Sequence, residues 1–374
     1  AYAVSNSSGQ GIPQLLAELE RLTVAHSQAQ PAGHFRVSLD RAFNLKGAGL
    51  VCTGTVAAGQ VKPGDELRLQ PQDKRARVRQ VYRQGSESEQ ASMGDRCALN
   101  LVGDIEKNDV ERGDWLTAPA AIDACAALDA RLRLLPDLEF VPRHMAMVKL
   151  HIGAKRVDAS LALLVEPGQA RRFAPGSEVF VRLFPTRPVV CCHGDRFLLR
   201  DYGETSIFGG GEVLAPHAPP HSRAEAARLA HLEAMLAASP VEALEALVIG
   251  AGQTADLDAF QHAWNLRDND METVLASSSL QGARRVQLDS QRLLVPAQQW
   301  SDGLAVVASA LAGWLQENPA EHGMRPAALK RELGQSVDSR LVLPLVIELV
   351  QTGVLEQVDG LLRTVGWRAR LDDG

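Results

Sequence analysis

LDRAFNLKGAGLVCTGT at Leu39–Thr55, followed by VKPGDEL at Val61–Leu67, contains two strand-like runs and two tight turns. The first turn is Lys46-Gly47-Ala48-Gly49, and the second opens at Lys62-Pro63-Gly64-Asp65. Glycine supplies a positive φ or a close backbone approach at such turns, and Pro-Gly favours the next chain reversal. By themselves these residues predict a small antiparallel β-barrel in which the turn glycines have structural roles.

The size and composition of the chain predict several globular modules. It has 374 residues, of which 45% are apolar and 22% charged, values typical of a soluble protein with real cores. No run approaches the roughly 18 apolar residues of a membrane span, and no signal segment is recognisable. The cysteines show no paired spacing, so we expect free thiols and a cytoplasmic protein. They are Cys52, Cys97, Cys125, Cys191 and Cys192.

Charge is unevenly divided along the chain. From His217 onward there are 13 Lys and Arg against 20 Asp and Glu, whereas the first 216 residues have 26 against 25. The first half also contains a basic stretch, formed by Lys62, Arg68, Lys74, Arg75, Arg77, Arg79 and Arg83. Because polyanions are attracted to clustered cations, RNA contacts are expected in the N-terminal half.

Short runs of strand formers separated by Gly, Pro and Asp turns predict two antiparallel β-barrels, at 34–119 and 127–216. In the first, RARVRQV is expected to place Arg75, Arg77 and Arg79 on one strand face and Ala76, Val78 and Gln80 on the other. In the second, the predicted strands include PVVCCHG at Pro188–Gly194.

Helical periodicity replaces strand alternation after PHAPPHS at Pro216–Ser222. Helices followed by a strand pair occur twice, at 223–297 and 298–370, which is the arrangement of a winged helix. The second helix set is expected at Gln298–Gln316, Pro326–Leu333 and Asp338–Thr352. The predicted fold class is therefore a mixed multidomain protein, with two antiparallel β-barrels followed by two α+β winged-helix domains.

The D-R-x-F-x-x-x-G-x-G pattern at 40–49 resembles the second domain of translational GTPases, in the form found in the selenocysteine-specific elongation factor (SelB). The resemblance implies that the barrels are translation-factor domains 2 and 3. The Ser5–Gly11 loop, with Ser5 and Asn6, resembles the guanine-side loop of a GTPase, so residues 1–24 would be the end of that domain. The chain would then be a fragment, without most of the GTPase domain and without the terminal winged helices.

The same resemblance implies an activity and partners. SelB-type factors bind selenocysteinyl-tRNA and deliver it to the ribosome at recoded UGA codons, in a GTP-dependent way. Their terminal winged helices reach the selenocysteine insertion hairpin of the mRNA. GTP and Mg²⁺ would be bound only by the full-length protein, because no G-x-x-x-x-G-K-[ST] motif occurs in this sequence. No catalytic residue is predicted within it.

Asp40, Arg41 and Arg96 are the residues that the resemblance places in the selenocysteinyl pocket. A selenol is more acidic than a thiol, so it is largely ionised at neutral pH, whereas serine is not and cysteine, with a pKa of about 8.5, is mostly neutral. Fixed guanidinium groups would favour the anion. Two alternatives remain open: both arginines lie on the surface without a ligand, or they pair with Asp40 or Asp95. The role of Cys52 is left open.

Weaker candidates lie elsewhere in the barrels. Arg75, Arg77 and Arg79 could contact the tRNA acceptor arm or form a solvated strand face. By the resemblance, Arg200 and Thr205 could contact the T-stem. No metal site is expected at Cys191-Cys192-His193, since adjacent strand residues face opposite ways and no second Cys/His pair has zinc-site spacing. The acidic winged helices are expected to be spacers.

Three other functions compete with this interpretation of the sequence. Another translational GTPase, such as elongation factor Tu or an initiation factor, lacks a winged-helix extension. A winged-helix transcription regulator would have basic recognition helices, whereas Arg340 is the only cation in the two expected here, Asp268–Ala276 and Asp338–Thr352. A plain interaction scaffold is the third. The sequence contains neither a nucleophile elbow nor a dinucleotide-binding fingerprint, which argues against an autonomous enzyme.

Overall fold

The structure, a computed structural model, describes residues 2–27, 33–47, 49–138, 141–166, 168–219, 226–289 and 291–370. The chain divides into two compact units. Unit 1 comprises Ala1–Glu225 and Gln261–Met271, and unit 2 comprises Ala226–Phe260 and Glu272–Gly374. Each unit has its own apolar core. No helix in these described ranges combines the length and apolar character needed to cross a membrane.

Unit 1 begins with a hydrogen-bonded turn and helix α1 (Ile12–Ser27). The Ser5 amide donates to the Gln10 carbonyl at 3.0 Å, and the Gly9 amide donates to the Ser5 carbonyl at 2.9 Å. Residues 2–5, before this turn, form neither a helix nor a strand. Along α1, the apolar side chains of Leu16 and Leu19 lie on the surface and are about half exposed.

The first barrel of unit 1 is built from strands that share one core. The strands of this region are β1 (Arg36–Leu45), β2 (Gly49–Ala58), β3 (Gln60–Val61), β4 (Glu66–Gln70), β5 (Lys74–Arg83), β6 (Ser86–Ser88), β7 (Ala91–Ser92), β8 (Arg96–Gly103) and β9 (Trp115–Thr117). The ring order is β4-β9-β1-β2-β8-β5, and antiparallel pairing of β5 with β4 closes it. Strand side chains alternate between the core and the surface because successive residues point to opposite faces.

The predicted β1–β2 hairpin is present. Gly47 and Gly49 flank its turn with φ angles of +85° and +89°, a region that residues with a Cβ rarely occupy. Ala48 lies outside the described residues. A bulge at Arg79 interrupts the alternation predicted for β5, so Val81 is buried in place of Gln80.

The second barrel of unit 1 is also closed and antiparallel. Its strands are β10 (Leu128–Leu134), β11 (Ala146–Ile152), β12 (Lys155–Leu164), β13 (Glu178–Pro185), β14 (Arg196–Asp201) and β15 (Ile207–Pro216). They close in the order β10-β13-β12-β11-β14-β15. The prediction of a strand at Pro188–Gly194 is wrong, because this segment makes only an isolated β-bridge, between Val189 and Cys125.

Buried ion pairs join the two barrels within unit 1. Arg36 donates from both terminal nitrogens to Asp195 at 2.6 Å and lies over the Trp115 ring. The Lys155 ammonium donates to Asp114 at 2.8 Å, and Asp114 is completely buried. Because a buried charge is costly once its partner moves away, these pairs hold the barrels in one relative orientation.

Unit 2 carries most of the helices. In chain order the remaining elements are α2 (Ala226–Ala234), α3 (Pro240–Glu245), β16 (Ala255–Asp256), α4 (Leu257–Ala263), α5 (Asp268–Leu275), β17 (Arg284–Gln287), β18 (Arg292–Val295), α6 (Ala297–Glu317), α7 (Pro326–Leu333), α8 (Val342–Gln351), β19 (Leu355–Val358) and β20 (Leu361–Thr364). The strands form a β16-β18-β17 sheet and a β19–β20 hairpin. Residues 223–225, at the start of the region 223–297, lie outside the described residues.

Candidate functional site

A β-bulge in β1 creates the candidate site on the outer face of the first barrel. Leu39 pairs with Gly54 and Arg41 pairs with Thr53, so Asp40 is an extra residue in β1. In such a bulge two residues oppose one on the partner strand, and side chains are re-aimed locally. Here the bulge brings Asp40 and Arg41 to one position of the ladder, beside Thr53.

Asp40 is held by residues from two neighbouring strands. The Thr53 hydroxyl donates to Asp40 Oδ1 at 2.6 Å. Arg96, at the start of β8, donates from Nη1 to Oδ2 and from Nη2 to Oδ1, the second at 3.3 Å. The Asp40 side chain is 27% exposed and that of Arg96 is 57% exposed. The cluster is therefore a preformed surface group.

Electrostatics fix the ionisation of this cluster. The hydrogen bond from Arg96 holds the pKa of Asp40 below its usual value, with the Thr53 hydroxyl and the charge of Arg41 adding to the effect. The hydrogen bond to Asp40 in turn raises the pKa of Arg96. At neutral pH the cluster therefore has two cations and one anion, a net charge of about +1.

Arg41 is the less constrained of the two arginines. Its side chain is exposed, and in the described part of the chain it has neither an ion pair nor a side-chain hydrogen bond. Asp95, the other partner considered from the sequence, lies 3.5 Å from Arg83 instead of pairing with Arg96. Structurally, then, Arg96 is paired with Asp40, whereas the Arg41 guanidinium is available.

Cys52 does not belong to this surface. It is fully buried in the core of the first barrel, where burial raises the pKa of its thiol to about 12. Its neighbour Thr53 faces outward because strand residues alternate. Thr53 cannot be predicted as a site residue from the sequence, because a hydroxyl at an alternating strand position has no motif of its own.

The basic strand β5 forms a second candidate surface. Arg75, Arg77 and Arg79 are all exposed, and Arg77 donates from Nε to the Gly64 carbonyl at 3.1 Å. A cavity of about 480 Å³ is lined by Arg75 and Arg77 together with Arg68, Glu66, Asp73 and Asp104. Asp40, Arg41 and Arg96 do not line this cavity. Arg75 and Arg77 thus share a cavity to which the group around Asp40 does not contribute.

In the second barrel, Arg200 and Thr205 stabilise the turn between β14 and β15. Arg200 donates to the Glu204 carbonyl, and the Thr205 hydroxyl donates to Asp201 at 3.0 Å. The Ser206 amide donates to the same carboxylate at 2.6 Å, which lowers the pKa of Asp201. Both predicted contact residues therefore shape a turn, and their role toward RNA stays a prediction.

The three residues at 191–193 point into different surroundings. Cys191 is buried in the core of the second barrel, where its sulfur lies 3.7 Å from that of Cys125. Cys192 belongs to a separate apolar cluster with Trp115, and His193 stacks on Trp264 with ring centroids 3.7 Å apart. Across the residues that the structure describes, no three His, Cys, Asp or Glu side chains are grouped to hold a metal ion.

The loop predicted as a nucleotide-side remnant is closed on itself. The Ser5 and Ser7 hydroxyls are 3.1 Å apart, and the Ser8 amide donates to the Ser5 hydroxyl at 3.3 Å. Asn6 is exposed. Its relation to a nucleotide site stays a prediction.

Comparison with known families defines the class of protein first. Residues 49–117 match the family described as elongation factor Tu domain 2, and a second closed β-barrel follows directly. A domain of this family followed by a second closed antiparallel barrel places the first half of the chain among translation-factor folds.

The particular family follows from the rest of the chain. Residues 129–220 match the beta-barrel domain of the selenocysteine-specific elongation factor, and residues 308–363 match the winged helix of elongation factor SelB. Two domains of this chain therefore belong to the selenocysteine-specific elongation factor (SelB) family. The predicted fold class is confirmed for the two barrels and for a winged-helix domain, while a winged helix at 223–297 stays a prediction.

Individual relatives support the same assignment. The chain is 29% identical over 365 residues to the selenocysteine-specific elongation factor of Escherichia coli strain K12, covering 96% of this chain and 55% of that protein. It is 28% identical over 373 residues to that of Desulfomicrobium baculatum, covering 97% and 56%. The chain thus spans about half the length of the curated relatives it matches.

One solved structure shares the fold over most of the chain. The crystal structure of bacterial selenocysteine-specific elongation factor EF-Sec superposes with a TM-score of 0.66, at 18% sequence identity. The alignment covers 96% of this chain and 54% of that one.

Proposed function

We propose that this chain is the tRNA-binding part of a cytoplasmic selenocysteine-specific elongation factor. The whole protein would bind selenocysteinyl-tRNA and deliver it to the ribosome at recoded UGA codons, in a GTP-dependent way. The observation that carries this proposal is the similarity to the Escherichia coli factor, which continues through 96% of the chain. A match that extends into the winged helix at 308–363 favours this reading over other translational GTPases.

The surface group on the first barrel supplies the chemistry for amino-acid selection. Arg41 and Arg96 offer guanidinium donors, and Asp40 compensates only one of the two charges. A selenolate gains a charge-assisted hydrogen bond there that a serine hydroxyl does not. Such bonds contribute about 1.5–3 kcal/mol each, which corresponds to a roughly 10- to 150-fold preference.

GTP and Mg²⁺ belong to the proposal only for the full-length protein. Translation factors of this class are GTPases, and the bound nucleotide would supply the free energy for release of the tRNA on the ribosome. The residues present here do not include a P-loop motif. Ser5 and Asn6 would contribute at most the loop beside the guanine.

The winged helices would act as spacers, with the mRNA hairpin bound by modules outside this chain. Helix α5 carries Asp268 and Asp270 in its first turn, an unfavourable charge for a phosphate backbone. Arg340, the only cation in either predicted recognition segment, donates to Asp338 at 2.7 Å. A winged-helix regulator of nucleic acid would need cations that are free to meet phosphate.

The test is a comparison of two tRNAs on the intact, GTP-loaded protein. We expect selenocysteinyl-tRNA to bind at least about tenfold more tightly than seryl-tRNA. Arg41→Ala and Arg96→Ala should reduce the affinity for the first and leave the second nearly unchanged. Arg331→Ala, which removes an exposed arginine of α7, is the control and should change neither. Equal affinity of the wild-type protein for the two tRNAs would overturn the proposal.

A further inference from the structure

The Asp40 carboxylate has two potential cationic partners but is committed to one of them. Asp40 and Arg41 are adjacent in the bulge and share the outer face with Thr53, while Arg96 reaches Asp40 from β8. If Asp40 turned toward Arg41, it would compensate the charge that the ligand needs. The orientation of this one carboxylate therefore decides which arginine stays available.

Thr53 controls that orientation. Its hydroxyl donates to Asp40 Oδ1 at 2.6 Å, from the residue directly opposite the bulge. A threonine on a strand is stiff about its first side-chain torsion, so the hydroxyl is fixed by the backbone of β2. The residues on either side of Thr53 in β2 are Cys52 and Gly54, and neither has a hydroxyl. Among these three residues, only Thr53 can therefore donate a hydroxyl hydrogen bond to Asp40.

We propose that Thr53 is a positioning residue of the amino-acid pocket: it holds Asp40 on Arg96 and so leaves Arg41 to contact the anionic side chain of the ligand. This inference rests on the proposed function. Arg41 is then the contact residue, and Arg96, Asp40 and Thr53 form its support. The ligand class is an aminoacyl ester with an ionised side chain.

The experiment replaces only the hydroxyl. Thr53→Val keeps the shape and the strand preference of the side chain, and Thr53→Ser keeps the donor. On the intact GTP-loaded protein, Thr53→Val should lower the preference for selenocysteinyl-tRNA over seryl-tRNA by about tenfold, as expected for the loss of one hydrogen bond to a charged group. The affinity for seryl-tRNA should not change, and Thr53→Ser should keep the preference within about twofold.

A ligand-free measurement distinguishes positioning from a general structural effect. The carboxyl pKa of Asp40, followed by NMR, should rise in Thr53→Val because one hydrogen bond to the carboxylate is lost. Thr53→Ser should retain the wild-type titration. An unchanged unfolding midpoint in Thr53→Val shows that the barrel is intact, and Thr53→Ala is the second variant should Val disturb the strand.

The outcomes separate this inference from the proposed function. A wild-type protein that does not discriminate between the tRNAs overturns the proposed function itself. A discriminating wild type in which Thr53→Val keeps the full preference overturns the role of Thr53 only. If Arg96→Ala abolishes the preference and Arg41→Ala retains it, the assignment of Arg41 as the contact residue is wrong.

Discussion

The ion pair of Asp40 and Arg96 should contribute pH-dependent stability. Because the folded-state pKa of Asp40 is lowered, its contribution is present above the unfolded value of about 3.9 and is lost as the pH falls through the lower folded value. Asp40→Asn should therefore cost up to about 1 kcal/mol of unfolding free energy at pH 7, a small amount because Arg96 is largely exposed. Once the pH has fallen below this lowered pKa of Asp40, the two proteins should be nearly equally stable.

Denaturant unfolding at a series of pH values measures this difference. Glu89→Gln is the control, since Glu89 is exposed and makes no ion pair with any residue that the structure describes. A stability difference between wild type and Asp40→Asn that stays constant from pH 7 to pH 3 would contradict the prediction.

A second residue-level prediction concerns the pair of Arg182 and Asp129 inside the second barrel. Both side chains are fully buried, and Arg182 donates to the two Asp129 oxygens at 2.6 and 2.7 Å. Asp129→Asn should cost about 3–5 kcal/mol of unfolding free energy because it leaves a buried charge without its counter-ion. The double variant Asp129→Asn/Arg182→Met should be more stable than the single variant Asp129→Asn. Denaturant unfolding of both variants measures this order, and a less stable double variant would contradict the prediction.

For individual residues, the sequence predicts which charged side chains belong to the candidate site but not how they are arranged. Asp40, Arg41 and Arg96 were identified from the motif that surrounds them, whereas the bulge that brings them together adds a residue without altering the local composition. Thr53 was missed for the same reason. Arg200 and Thr205 were predicted as surface contacts, yet both take part in a turn, because side-chain to backbone hydrogen bonds are not visible in a pattern of residue types.

At the scale of strands, Gly54 is required by the pairing of β1 and β2. A Cβ at this position would collide with the Ser38 carbonyl and approach the Val37 side chain to 2.9 Å. Gly54→Ala should therefore destabilise the first barrel by about 1–3 kcal/mol, as overpacking does in other cores. Gly313→Ala in α6 is the matched control: it meets open space, so it should be neutral or stabilising by up to about 1 kcal/mol.

Thermal unfolding of the two glycine variants provides the measurement. The expected pattern is a lower midpoint for Gly54→Ala and an equal or higher midpoint for Gly313→Ala. Equal stability of Gly54→Ala and wild type would show that β1 and β2 can separate locally without cost.

Strands are predicted correctly where apolar and polar residues alternate, and wrongly at Pro188–Gly194, where the run is mostly apolar. The β1–β2 hairpin and the strands of both barrels follow from two-residue periodicity and turn glycines. Pro188–Gly194 resembles a buried strand because it is apolar, and it is indeed buried on two sides without pairing as a strand. Val189 and Cys191 lie in the core of the second barrel, whereas Val190 and Cys192 belong to a separate cluster with Trp115. An apolar run thus predicts burial and not pairing, and only the tertiary structure distinguishes the two.

For the whole molecule, the proposed function and the distribution of charge together predict that tRNA affinity and amino-acid selection depend on different residues. The exposed arginines of β5 lie in the half of the chain with a small excess of cations, whereas the half from His217 onward is net acidic. Under the proposed function, phosphate contacts would contribute to binding of any tRNA, whereas the group around Asp40 would respond only to the attached amino acid. Affinity and selectivity should therefore change independently.

The triple variant Arg75→Gln/Arg77→Gln/Arg79→Gln tests this separation in the intact protein. It should weaken selenocysteinyl-tRNA and seryl-tRNA by the same factor, because both present the same backbone. The slope of log affinity against log salt concentration should become less negative by up to about two to three. Each lost phosphate contact removes roughly 0.7–0.9 from this slope. Arg325→Gln/Lys330→Gln/Arg331→Gln, three exposed cations around α7, is the control and should leave the slope unchanged. If the control flattens the slope as much as the β5 triple, tRNA binding depends on total charge, and β5 is not the RNA-facing surface.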